Sequence, residues 1–247
     1  MTQAVAFPAR HQAIVAAIGH AAQRTGVDFS YLLANARAES GLNPAARATT
    51  SSATGLFQFT DATWLGVVAR HGAAHGLAWA ADALKQGASG AVKQTILALR
   101  HNAEVAAAMA GEFTRDNATK LESALGRAAG ASDLYLAAFF GAGGAVKFLK
   151  SMAANPGMAA ASLLPAAAAA NRSTFFARDG RPRSLAEVHD IVANRIHRHG
   201  AGAAQPSGTM LPPAGNSLPP APHAIAADPA LAAARARMAY LVLAAMQ

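Results

Sequence analysis

The residue types and spacings best suited to chemistry lie between Tyr31 and Trp64. The segment Arg37-Ala38-Glu39-Ser40-Gly41-Leu42-Asn43-Pro44 puts a carboxylate at the end of an expected helix, just before a Gly stop. A helix C-terminus carries about half a negative charge, so an anion there is disfavoured. That repulsion, with any burial, raises a carboxyl pKa and keeps the proton on near neutral pH. A carboxylic acid that stays protonated is what a general acid needs to push a leaving oxygen off carbon. Taken alone, Glu39 could equally be solvated, or paired with Arg37 or Arg47.

A second element follows. Small polar residues from Ser51 to Thr54 lead through Gly55 into Leu56-Phe57-Gln58-Phe59, and a new helix is expected to start near Thr60. Gln58 sits between two phenylalanines. An amide there can donate and accept toward sugar hydroxyl or N-acetyl groups while aromatic neighbours such as Phe57 exclude water.

Together, Glu39-Ser40-Gly41-Leu42-Asn43-Pro44 and Gly55-Leu56-Phe57-Gln58-Phe59 resemble the first two motifs of the soluble lytic transglycosylases, glycoside hydrolase family 23 of the lysozyme-like superfamily. The resemblance covers about 31–150 well and the helices to 199 less closely. It implies an all-α, lysozyme-like fold and cleavage of the MurNAc–GlcNAc bond of peptidoglycan. Glu39 would be the single acid/base, leaving a 1,6-anhydro sugar, while Ser40 and Gln58 match positions that hold Glu39 and the sugar.

Two departures from that pattern bear on mechanism. Where the family tends to have Ala-Tyr-Asn-Ala-Gly, this chain has Ala138-Phe139-Phe140-Gly141-Ala142. Phe139 removes a hydroxyl that would face the glutamate, and Tyr135, one turn earlier, is the alternative source. Where the family usually has proline, this chain has Asp61. An acid in the first turn of a helix complements its dipole, with Thr60 or Asp61 as the cap. Asp61 could instead be a second catalytic carboxylate, as in lysozymes. Separations of about 5–5.5 Å between two such groups suit retention and about 6.5–9.5 Å inversion. The alternatives are therefore a muramidase using Asp61, or a non-catalytic glycan-binding adaptor of an envelope-spanning apparatus.

Composition narrows the partners. The 247 residues hold 21 Lys+Arg against 13 Asp+Glu, a net charge of +8, and no cysteine. Disulfide scaffolds, thiolate metal sites and cysteine nucleophiles are thereby excluded. The positive charge suits the carboxylates of peptidoglycan strands. Nucleic acid is not expected, because no helix clusters Lys and Arg at recognition spacing. No cofactor is implied. No metal is expected either: Gly72 and Gly76 interrupt the helix around His71 and His75, and no acid lies near in sequence. The Arg178–Arg183 turn and the His197–His199 end read as solvated basic segments.

The elements that must position these residues are helical. Alanine, the strongest helix former, alternates with larger apolar residues at three- and four-residue spacing. Helices are predicted over 9–24, 29–40, 62–71, 89–112, 116–127, 132–140, 143–153 and 184–199. Asp28 and Gly41 bound the second, and Ser184 with Glu187 forms a capping box for the last. Residues 1–199 are expected to form the domain, 200–229 a Pro/Gly-rich linker, and 230–247 a terminal helix able to dock on an envelope-apparatus partner. No apolar run reaches the ~18–20 residues of a membrane span. The N-terminus reads as an amphipathic helix rather than a signal core. The substrate places the site of action in the periplasm or cell envelope, by an export route the sequence does not display.

Overall fold

Among the described residues the alanine-rich pattern folds mainly as helix. A computed structural model of the chain describes residues 9–49 and 51–200. Among them are eleven α-helices and no β-strand: α1 Ala9–Thr25, α2 Phe29–Ser40, α3 Asp61–His71, α4 Ala78–Lys85, α5 Gly90–Ala98, α6 Ala103–Leu125, α7 Ala131–Ala154, α8 Ala160–Leu163, α9 Pro165–Ala170, α10 Arg172–Phe175 and α11 Leu185–Gly200. The expected linker at 200–229, beyond Gly200, and the terminal helix at 230–247 lie outside the described residues. No helix among the described residues is long and apolar enough to cross a membrane.

Small side chains set the packing distances. The long α6 lies against α1 and α7, and α11 packs on both α2 and α7. Where α1 meets α6, Gly111 touches Thr25 so closely that an added Cβ would sit 2.5 Å from the Thr25 hydroxyl. Ala17, Ala21, Ala107 and Ala110 are buried in the helices on either side. Alanine is thus both a helix former and a spacer that lets helices approach.

The ends of α2 obey the local signals. Asp28 accepts a 2.7 Å hydrogen bond from the Tyr31 amide, and Gly41 closes the helix in the left-handed region at φ 61°. The Ser184–Glu187 capping box forms in both directions, at 2.8 and 3.2 Å.

Elsewhere the elements differ from the sequence expectation. The predicted helix 89–112 is broken: α5 ends at Ala98, a 3₁₀ turn spans Leu99–His101, and Asn102 caps α6 by accepting from the Val105 amide. The Asn102 side chain competes with helix continuation there. The predicted 116–127 helix is the second half of α6. Residues 132–140 and 143–153 form one element, α7, kinked at Gly141 (φ 72°, ψ 159°). The short helices α4, α8, α9 and α10 lie outside the predicted spans.

Candidate active site

Glu39 lies in the last turn of α2 and is only 8% exposed. Burial pushes its carboxyl from 4.5 up to about 8, and the Arg195 guanidinium on α11 pulls in the opposite direction. Desolvation is therefore the main cause of the raised pKa, ahead of the helix-end repulsion emphasised by the sequence argument.

Ser40 joins Glu39 to the next element. Its hydroxyl donates to the Leu56 carbonyl at 2.8 Å and lies 3.1 Å from the Ala36 carbonyl, while its oxygen accepts from the Asn43 amide at 3.2 Å. The end of α2 and the turn bearing Gln58 are thus one unit. Gln58 itself has φ 49°, a left-handed conformation uncommon for a side chain other than Gly, Asn or Asp. Its amide nitrogen donates to the Gly55 and Ala46 carbonyls at 2.8 and 3.2 Å. The donating half of the amide is committed to its own loop, leaving the amide oxygen as the group that can receive a sugar hydroxyl. Phe57 is buried at 7% exposure and belongs to the core.

That loop is clamped from behind by Arg100, a residue the sequence reading passed over. The Arg100 side chain donates to the Ser52 and Phe59 carbonyls at 2.9 and 3.0 Å. Gly55, at φ 84°, rests on the Arg100 backbone carbonyl so closely that no Cβ could fit. Asp61 is the counter-ion of this arginine, 2.7 Å away and 46% exposed on its side chain. Thr60 caps α3 by accepting from the Thr63 amide, and Asp61 stands in the first turn.

Tyr135 and Phe139 are both fully or nearly fully buried on α7, before its kink. The Phe139 ring meets Phe140 at 4.9 Å, and Phe140 in turn packs on Phe148 and Phe175. Beside the chain that follows Glu39, a recess of about 380 Å³ is lined by Arg10, Pro44, Ala45, Arg47 and His101. Its lining is cationic and carries no acid.

With this geometry in place, the stretch holding Glu39, Ser40 and Gln58 can be compared with known families. Residues 16–78 match the model of the Transglycosylase SLT domain. The match spans α1 from its middle, all of α2, the Gln58 loop and α3. The matched stretch therefore contains the buried acid and its clamped loop. The kinked α7 and the Arg195 helix lie outside the matched SLT stretch.

Two further groups of charges find partners in the structure. His71 and His75 do meet acids, brought by α6 from a distant part of the chain. His75 Nε2 lies 2.7 Å from Glu112, His71 Nε2 lies 2.9 Å from Asp116, and Arg70 pairs with Asp116 as well. The Arg178–Arg183 turn is not simply solvated: Arg181 pairs with Glu187, and Arg183 donates to the Ser173 and Thr174 carbonyls.

Proposed function

We propose that this protein is a peptidoglycan lytic transglycosylase in which Glu39 is the single acid/base. The observation that carries the reading is a buried carboxyl with a pKa near 8, at the end of α2 and tied by Ser40 to the Gln58 turn within an SLT stretch. Glu39 gives its proton to the glycosidic oxygen as the bond from that oxygen to MurNAc C1 breaks. The C6 hydroxyl oxygen then bonds to C1, and its proton returns to the Glu39 carboxylate. Gln58 accepts a hydrogen bond from the sugar through its amide oxygen.

A pKa near 8 suits a group that must act first as acid and then as base close to neutral pH. The engagement of Asp61 with Arg100 supports this route over hydrolysis, because a nucleophile or a water-activating base has to face substrate rather than a clamp. The cationic recess beside Pro44 favours a substrate bearing carboxylates, as peptidoglycan does. Such a substrate puts the protein's work in the bacterial envelope. Residues 1–199 would form the working domain.

Digestion of purified peptidoglycan by the parent protein and by Glu39→Gln, followed by mass spectrometry, tests the reading. Anhydro-muropeptides from the parent and a loss of at least about 10²–10⁴-fold in the variant are expected. Reducing termini would support hydrolysis through Asp61. No release by the parent would support a glycan-binding adaptor.

A further inference from the structure

Helix α11 reaches the site from far along the chain, and two contacts fix its register on α2. A Cβ on Gly200 would lie 3.2 Å from the Ala34 Cβ. The Arg37 guanidinium donates to the His199 carbonyl at 3.4 Å. Rising numbers on α2 thus meet falling numbers on α11, so the two helices run antiparallel. One turn back from His199 along α11 stands Arg195, level with the last turn of α2, where Glu39 lies. Arg195 also shares the face of Val188 and Val192, both buried, and its Nη1 is shielded from solvent.

We infer that Arg195 is the positioning residue for Glu39, a cation brought by α11 to hold and stabilise the carboxylate formed when Glu39 releases its proton. This rests on the acid/base reading above. A single group that serves as acid and then base must survive as an anion between the two steps, and in a dry site that anion is costly without a partner. Arg195 is a cation on this helix pair whose charge acts on Glu39, against the effect of burial. Tyr135 lies on α7, the other helix that α11 packs against. The arginine opposes burial without overcoming it, so the resting acid keeps its proton while the transient anion is supported.

The test follows Glu39 directly, through the ¹³Cδ carboxyl resonance that disappears in Glu39→Gln, using the full chain. The midpoint is expected near 8 in the parent, higher in Arg195→Gln, and back toward the parent in Arg195→Lys. Turnover should fall about 10–100-fold in Arg195→Gln with KM changed less, a part of the ~10²–10³-fold cost of deleting one charge-stabilising donor. The alkaline limb of kcat/KM should move up together with the carboxyl midpoint. Should Arg195→Gln fail to fold, Arg195→Met, which keeps the aliphatic stem, takes its place. An unmoved midpoint in a folded variant overturns the inference, as does a lysine variant no closer to the parent than glutamine. The titration needs no substrate. A parent protein that releases no fragments therefore ends the transglycosylase reading and still leaves the Arg195–Glu39 coupling to be decided by resonance position.

Discussion

The Ser40 hydroxyl and the Leu56 carbonyl are joined by a 2.8 Å hydrogen bond, so one small side chain next to Glu39 ties the end of α2 to the turn that presents Gln58. Ser40→Ala leaves the buried Leu56 carbonyl without this donor and removes the acceptor of the Asn43 amide. The expected cost is about 1–3 kcal/mol of stability, measured by denaturant unfolding. Activity on peptidoglycan should fall further than stability explains, because the spacing between acid and amide is released. A variant with parental turnover would show that the tie is structural only.

Glu39 also makes stability depend on pH. Its carboxyl titrates near 4.5 when unfolded and about 8 when folded. Below 4.5 both states hold the proton and no penalty exists. Between 4.5 and 8 the folded state binds more protons, so stability falls as pH rises. At about 1.4 kcal/mol per pKa unit the total loss is of order 5 kcal/mol above pH 8. Glu39→Gln should flatten this slope and be the more stable protein at pH 9. Parallel pH curves for the two proteins would show that Glu39 is not the group being titrated.

Asp61→Asn separates the two carboxylates. The ion pair with the buried Arg100 is weakened, and the half-exposed partner limits the cost to about 1–2 kcal/mol. Product chemistry should stay the same, with anhydro ends and turnover within about tenfold of the parent, well short of the ~10²–10⁴-fold effect of losing a general acid or base. A switch of product type, or loss on that larger scale, would assign Asp61 to catalysis.

Gly55→Ala is expected to be among the most damaging single changes. It combines a left-handed backbone with a methyl group driven into the Arg100 carbonyl. Strain at such positions costs about 1–3 kcal/mol before the clash is counted. Thermal unfolding should show a large drop, and whatever folds should lose the Gln58 turn.

Local signals made the bounds of α2 and the start of α11 legible in the sequence. Asp28, Gly41, Ser184 and Glu187 act within a few residues of themselves, so their effects follow from sequence spacing alone. The roles of Arg100 and Arg195 are long-range. Arg100 serves a loop some forty residues earlier, and nothing in Leu99-Arg100-His101 announces that. Arg195 did leave a trace, as a charged residue on the apolar face shared by Val188 and Val192. His71 and His75 looked isolated because Glu112 and Asp116 come from α6. The helix break at Asn102 was hidden by alanines on both sides, which suit a continuous helix as well as two.

The docking of α11 on α2 gives the molecule a timetable. A growing polypeptide carries its acid long before its counter-cation, since position 39 leaves the ribosome early and position 195 late. Until the last described helix arrives, the flank of α2 that α11 covers is bare. A protease cutting near Asn155 and Pro156 and releasing the distal piece would uncover that flank of α2 while leaving every residue of the matched segment intact.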